Sequence, residues 1–268
     1  MKHKITHFDG HALYKIFADG ILNLSKHQNT LDEINVFPVP DGDTGTNMAF
    51  TLLPIVEECS EQVTDIASET YSLMANTALD SARGNSGTII AQYFYGMSEV
   101  NKNIDKIDVF NFAKGLINAN QSARDSLTNP EEGTIITVMN DVAEESQRLI
   151  DNGCDEFYSF IKNIYKKAEV SLKETKNILN ILKKSDVVDA GALGFVLLIQ
   201  GMLNVIEKSE GGRIQTTHLD ISYELSKIEN LSKDIDFTIH NKFCTECVVV
   251  ADYIDKKELK DKIKDMGD

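Results

Sequence analysis

The sequence predicts an all-α fold, an up-and-down barrel or bundle of about eight helices, followed by the beginning of an incomplete α/β domain. Three observations lead to this prediction. Apolar residues recur at helical spacing through most of the first 206 residues, strand-like alternation between hairpin turns is missing there, and polar, glycine-bearing loops separate pairs of helices. A chain of 268 residues that is 42% hydrophobic can also bury a core of this size.

Helical periodicity is clearest in three segments. Their apolar faces consist of Leu13, Ile16, Phe17, Gly20, Ile21 and Leu24 in the first, Ile90, Tyr93, Phe94 and Met97 in the second, and Ile135, Val138, Met139 and Val142 in the third. Residues 161–175 and 194–208 show the same helical spacing of apolar residues. Spacings of three and four place each set on one side of a helix, so each segment is predicted to bury one face.

Four polar loops lie between the predicted helices. They are loop 1 (residues 40–47, PDGDTGTN), loop 2 (81–87, SARGNSG), loop 3 (130–134, PEEGT) and loop 4 (189–194, DAGALG). Each loop precedes a helix, and the interval between successive loops accommodates two helices of about 18–22 residues. Two helices return the chain to the end of the bundle that it left, so all four loops are expected at one end.

Four helix N-termini at one end would form an anion-binding site, because their N–H groups are unpaired and carry partial positive charge. For any single loop, the glycines and small polar residues are also explained as ordinary helix caps. Four such loops in phase along the chain favour the anion site over that simpler interpretation.

Loop 1 carries Asp41 and Asp43, which are separated by a single glycine. Carboxylates in an anion site are understandable if a cation lies between, and Mg²⁺ prefers a few carboxylates together with phosphate oxygens and water. Further oxygens are available from Asn35, Thr44, Thr46 and Asn47. Because no P-loop, dinucleotide-binding or complete EF-hand pattern is present, the residues predict a Mg²⁺–nucleotide site on a helical frame. Phosphoryl transfer suits such a site.

The composition indicates which class of partner is excluded and which cellular compartment is expected. A formal net charge of −15 argues against a nucleic acid partner. The four cysteines are scattered, which is typical of a reducing compartment. The first residues lack the apolar run of a signal peptide, and the longest apolar stretch, residues 195–206, is too short to span a bilayer. We therefore expect a cytoplasmic protein without a transmembrane segment.

Four segments resemble, in order and spacing, the DhaL-like family, which is the ADP-binding subunit domain of dihydroxyacetone kinases. These segments are NVFPVPDGDTGTNM (35–48), ARGNSGTII (82–90), EGTIITV (132–138) and VVDAGALG (187–194). The likeness covers roughly residues 5–208, and its first segment is highly specific. Within the family, the sequence is most similar to the N-terminal part of the bacterial fatty acid kinase catalytic subunit.

The resemblance implies an eight-helix barrel that binds ATP or ADP at one end, together with two Mg²⁺ ions. By motif position it makes Asp41 and Asp43 the metal ligands and central catalytic residues, with Asn35 near the position of a third ligand. The residues that it implies for nucleotide binding are Thr44, Gly45, Thr46, Asn47, Asn85, Ser86, Gly87, Gly133, Thr134, Asp189 and Gly191. Among these, Thr46, Asn47, Ser86 and Gly87 would contact phosphate, and Gly133 and Thr134 would line the nucleotide pocket.

The expected activity is that of a Mg²⁺-dependent kinase component that phosphorylates fatty acids to acyl phosphates. The acceptor would be presented by a fatty-acid-binding carrier protein of the DegV-like type, and a homodimer is also allowed for. One alternative is a dihydroxyacetone kinase subunit, against which the NVFPVP lead-in argues. A second alternative is a non-catalytic nucleotide-binding module.

The domain prediction places the helical nucleotide-binding domain at residues 1–208 and a linker with the truncated beginning of an α/β domain at residues 209–268. Residues 243–254 read as a β-branched strand and residues 256–266 as a charged helix. Cys244 and Cys247 with His240 have metal-ligand spacing, but no fourth ligand is evident, which favours plain thiols over zinc.

Overall fold

The computed structural model describes residues 4–209 and, beyond them, residues 214, 255, 258 and 262. The helices in this part of the chain are α1 (Gly10–Ser25), α2 (Gln28–Glu33), α3 (Thr44–Glu58), α4 (Ala67–Asp80), α5 (Gly84–Val100), α6 (Val109–Ser126), α7 (Ile135–Asp151), α8 (Phe157–Ile178), α9 (Asn180–Ser185) and α10 (Ala190–Glu207). Eight of them have 14 to 22 residues, and α2 and α9 have six each. The all-α prediction is confirmed.

The long helices pack side by side in a closed circuit that runs α1, α10, α8, α7, α6, α5, α4 and back to α1, with α3 against α1, α4 and α5. A short antiparallel pair, β1 (His7–Phe8) and β2 (Ile107–Asp108), joins the chain before α1 to the chain before α6. Two-residue strands lie below the length at which sequence alternation can be recognised, so they were not predicted.

The predicted apolar faces form the core of the barrel. Phe17 of α1 lies 5.2 Å from Phe94 of α5 and 6.3 Å from Phe112 of α6 between ring centroids, and all three rings are buried. Gly20 and Gly201 let α1 and α10 approach closely, because a Cβ on Gly201 would lie 2.6 Å from the Gly20 Cα. The first and last helices of the described barrel, α1 and α10, therefore pack closely along a line of contact, the α1–α10 seam, that includes Gly20 and Gly201.

The apolar stretch at residues 195–206 belongs to a longer helix than the sequence suggested. The helix α10 begins at Ala190, and its first turn is buried as well, because Ala190, Gly191 and Ala192 are small enough to enter the core. Among the described residues, α10 is the one helix that is long and apolar enough to cross a bilayer, and 72% of it is buried inside the barrel. Core helices of this kind pass the same test of length and composition.

Predictions for the tail fall almost entirely outside the described residues. These are the domain boundary after residue 208, the strand at residues 243–254, and the cysteine pair Cys244 and Cys247 with His240. From the helix predicted at residues 256–266, Glu258 and Lys262 are described; both are helical, and their side chains form an ion pair of 2.7 Å.

Candidate nucleotide and metal site

The helices begin inside three of the four loops. The first helical residues are Thr44 in loop 1, Gly84 in loop 2 and Ala190 in loop 4, whereas α7 starts directly after loop 3. Small residues are tolerated in the first turn of a helix. The last residues of loops 1, 2 and 4 therefore form the first turns of α3, α5 and α10. Gly42, Gly84 and Gly133 have positive φ angles of 69°, 57° and 89°, which non-glycine residues rarely adopt.

Loops 1 and 2 contact each other directly. A Cβ on Gly84 would lie 2.3 Å from Nδ2 of Asn47, and the Ser86 hydroxyl donates to the Thr44 carbonyl at 3.4 Å. The Thr51 hydroxyl strengthens this junction, because it accepts from the Arg83 N–H at 3.0 Å and donates to the Asn47 carbonyl at 2.7 Å. The starts of α3 and α5 are consequently held side by side.

Loops 3 and 4 form a second pair, which Asp189 joins. Its carboxylate accepts from the N–H groups of Ala192 in α10, at 2.8 Å, and of Ile135 in α7. Asp189 is only 5% exposed, and burial raises its pKa to about 6. Gly191 also faces Ile135, with 3.4 Å between the position of its missing Cβ and the Ile135 Cβ. The buried Asp189 carboxylate thus caps α10 and also bonds to the start of α7.

The two pairs of loops meet where α10 passes α3. The Met48 sulfur would lie 2.8 Å from a Cβ on Gly194, so the residue that follows loop 1 packs against the last residue of loop 4. Together with the two junctions above, this contact links loop 2 to loop 1, loop 1 to loop 4, and loop 4 to loop 3. The four N-termini therefore lie together, as the spacing of the loops predicted.

Loop 3 is held from the outside by the end of α8. A Cβ on Gly133 would lie 2.8 to 2.9 Å from side-chain atoms of Leu179 and Ile178, so only glycine fits there. Thr134 is buried and caps α7, and its hydroxyl donates to the Glu131 carbonyl at 2.7 Å. The half-exposed Ile178 side chain therefore packs against loop 3.

Asp41 and Asp43 lie next to each other at the start of α3. Burial, followed by the negative charge of Asp41, raises the pKa of Asp43, and a hydrogen bond from Asn47 opposes that rise. The Asn35 amide donates to Oδ1 of Asp41 at 2.7 Å, while its own Oδ1 is buried without a hydrogen-bond partner. Two adjacent carboxylates and an unpaired amide oxygen form a local surplus of acceptors.

Asp32 in α2 is a third carboxylate beside this pair, and sequence reasoning missed it. Its Oδ1 accepts from the Thr46 N–H at 3.0 Å, and its Oδ2 accepts from the Thr46 hydroxyl at 2.7 Å. Burial raises the pKa of Asp32, and hydrogen bonds from Thr46 and Gly45 oppose the rise. The Thr46 hydroxyl also accepts from Gln28 at 2.8 Å, so the side chain predicted to contact phosphate is already engaged on both sides.

Comparison with known proteins decides the family. Residues 38–204, more than half of the chain, match the sequence model of the DAK2 domain. The chain belongs to the DAK2 domain family. The match contains all four loops, while Asn35 and Asp32 lie just before it.

Relatives of this DAK2 domain occur in bacteria. An uncharacterised protein of Staphylococcus saprophyticus is 32% identical over 91% of this chain and 43% of its own length. Protein YloV of Bacillus subtilis is 31% identical over 92% of this chain and 45% of its own length. The chain thus spans less than half the length of these relatives.

Two solved structures share the fold of the DAK2 domain. The dihydroxyacetone kinase of C. freundii in complex with AMP-PNP and Mg²⁺ gives a TM-score of 0.53 at 14% identity, covering 71% of this chain and 33% of that one. The native form of the same kinase gives 0.56 at 14% identity, over 72% of this chain and 34% of that one. Identity at this level establishes the helical fold.

The donor set of the DAK2 site fits Mg²⁺. Within the described residues, no three His, Cys, Asp or Glu side chains form a ready metal site. The pair Asp41 and Asp43 is instead accompanied by the buried Asn35 oxygen, which has no partner. Mg²⁺ characteristically takes one or two carboxylates and fills its octahedron with phosphate oxygens and water, so a site with few protein ligands matches its chemistry.

Proposed function

We propose that this DAK2 domain binds ATP or ADP together with Mg²⁺ and serves as the nucleotide-binding part of a phosphotransferase. The observation that carries the proposal is the meeting of four glycine-bearing helix N-termini beside Asp41 and Asp43. Helix N-termini favour phosphate, and the carboxylates favour a cation that accompanies it. The AMP-PNP and Mg²⁺ complex of the C. freundii kinase, which has the same fold, supports the same ligands here.

Each group in the site has a role in holding the nucleotide. Asp41, Asp43 and Asn35 hold the metal, with two ions expected from the family resemblance. Bound Mg²⁺ supplies positive charge that offsets the charge on the β- and γ-phosphates. N–H groups at the start of α5 donate to phosphate oxygens, because those of Gly45 and Thr46 in α3 are taken by Asp32, and Ser86 adds a hydroxyl donor. Loop 3 and Ile178 border the remainder of the nucleotide.

The acceptor that we propose is the carboxylate of a fatty acid presented by an acyl-binding partner protein. An acceptor carboxylate oxygen forms a bond to the γ-phosphorus as the bond from that phosphorus to the β,γ-bridging oxygen breaks, which yields an acyl phosphate and ADP. The carboxylate is already ionised at neutral pH, so this transfer requires no general base. That fits a site whose described groups position phosphates and a cation.

Transfer of label from γ-labelled ATP tests the proposal. The chain is incubated with Mg²⁺ and an acyl-loaded, DegV-like carrier protein, and the product is trapped with hydroxylamine, which reacts with acyl phosphates. Hydroxylamine-sensitive label that disappears in the Asp41→Asn/Asp43→Asn variant supports fatty acid phosphorylation. Transfer to dihydroxyacetone would instead identify a dihydroxyacetone kinase type. ATP binding without transfer to any acceptor would identify a non-catalytic module.

A further inference from the structure

Asp32 binds the first turn of α3 although it lies in a different helix. Both of its carboxylate oxygens are engaged, one by the Thr46 N–H at 3.0 Å and the other by the Thr46 hydroxyl at 2.7 Å, and the Gly45 N–H also donates to it. The approach is close, because a Cβ on Gly45 would lie 2.3 Å from the Gln28 carbonyl oxygen. The N–H groups that an N-cap side chain ordinarily satisfies are therefore satisfied by Asp32.

Asp43 occupies the N-cap position of α3 but makes no capping hydrogen bond with its side chain. Aspartate is among the best N-cap residues, and the Asp9 and Asp108 carboxylates cap α1 and α6 in the usual way. Without Asp32, the N–H groups of Gly45 and Thr46 would be free, and both lie within one turn of the Asp43 carboxylate. The unusual cap therefore leaves the Asp43 carboxylate free of the backbone N–H groups of its own helix, with the Asn47 side chain as its donor in α3.

We propose that Asp32 is a positioning residue: it caps α3 in place of Asp43 and thereby leaves the Asp43 carboxylate to the metal. The inference rests on the proposed Mg²⁺–nucleotide function. It differs from a role for Asp32 as a ligand, because both Asp32 oxygens face α3 and the described acidic side chains form no three-membered metal site.

The test compares the dissociation constant of ATP with Mg²⁺ and with EDTA, measured by calorimetry on the whole chain. The coupling ratio, which is the dissociation constant in EDTA divided by that in Mg²⁺, reports how strongly the metal favours nucleotide binding. In Asp32→Ala, Asp43 turns to the vacated N–H groups, and the ratio is expected to fall by about tenfold or more. In Asp32→Asn, which keeps an acceptor for those N–H groups, the ratio is expected to stay within about threefold of wild type.

Asp108→Ala is the matched control for loss of a cap. Asp108 accepts from the Asn111 N–H at 2.8 Å and follows the far end of α5, which has 17 residues and is about 25 Å long. This variant loses thermal stability as Asp32→Ala does, but it should keep the wild-type ratio. If Asp32→Ala is too unstable to assay, Thr46→Val removes one of the bonds to Asp32, and its ratio should fall in the same direction.

The outcomes separate this inference from the function on which it rests. A wild-type ratio near one overturns the Mg²⁺–nucleotide proposal and the role of Asp32 with it. If wild type shows strong coupling and Asp32→Ala retains it, Asp32 is not a positioning residue. If Asp32→Asn loses as much coupling as Asp32→Ala, the carboxylate itself is needed at the metal, and the capping account is wrong.

Discussion

Gly84 is where the second loop comes closest to the first. Its φ of 57° is in the left-handed region, and an added Cβ would lie 2.3 Å from the Asn47 side-chain nitrogen. Gly153 has a similar φ of 77° but nothing within 4 Å of its missing Cβ. Both glycines thus have a left-handed backbone that would strain another residue, and they differ in what an added side chain would displace.

We therefore predict different consequences for Gly84→Ala and Gly153→Ala. Both variants should lose about 1 kcal/mol of unfolding free energy, because alanine is strained at positive φ. Gly84→Ala should in addition weaken Mg²⁺·ATP binding, since it displaces Asn47, whereas Gly153→Ala should bind as wild type. Urea denaturation and calorimetry check the two effects separately, and equal ATP affinity in both variants would contradict the junction between loops 1 and 2.

Asp189 makes the stability of the chain depend on pH. Burial raises its pKa to about 6 in the folded state, above the value of about 3.9 expected in the unfolded chain. The protonated form therefore favours folding; its contribution is complete below about pH 4 and is lost as the pH rises through about 6. At neutral pH the cost of the ionised form is about 3 kcal/mol.

Asp189→Asn removes this titration while keeping an acceptor for the N–H groups of Ala192 and Ile135. We predict that the unfolding free energy of wild type, relative to the variant, increases as the pH is lowered from about 7 to about 4.5. Urea denaturation across this range measures the difference, in which the titrations common to both proteins cancel. A difference that does not change with pH would mean that Asp189 is ionised without penalty.

At the scale of helices, the features that could be predicted from the sequence are those that depend on residues close together along the chain. Apolar spacing predicted five of the long helices, α1, α5, α7, α8 and α10, because periodicity is visible over 14 or more residues. The other three were expected only as part of a total of about eight. The helices α2 and α9 have six residues each and offer too few repeats to be recognised. The capping bond from Asp32 to Thr46 spans 14 positions, so no local pattern marks it, and Asp43 looks like the natural cap.

The seam between α1 and α10 gives a prediction about an element pair. Gly201→Ala places a Cβ 2.6 Å from both the Asp19 carbonyl oxygen and the Gly20 Cα, so the two helices must separate. Although alanine favours a helix over glycine, we expect a net loss of about 1–3 kcal/mol from overpacking. The exposed Asn204→Ala on the same helix should change stability by less than about 0.5 kcal/mol. Thermal denaturation distinguishes them, and a more stable Gly201→Ala variant would refute the close seam.

At the scale of the whole barrel, the closed circuit of helices brings four separate stretches of sequence together at one end. The order of the loops and the intervals between them predicted this, because antiparallel helices return the chain to the same end. The junctions themselves, such as Met48 against Gly194, depend on side-chain packing between distant elements and could not be read from the sequence. The chain spans 43% of the length of its S. saprophyticus relative.

The central claim is that Asp41 and Asp43 bind a cation that the nucleotide requires. Calorimetric titration of ATP into the chain, with Mg²⁺ and with EDTA, tests it most directly when wild type is compared with Asp41→Asn/Asp43→Asn. We predict Mg²⁺-dependent binding in wild type and loss of that dependence in the double variant, with the helical circular dichroism spectrum unchanged. Equal ATP affinity with and without Mg²⁺ in wild type, or Mg²⁺-dependent binding that survives the double substitution, would contradict the account.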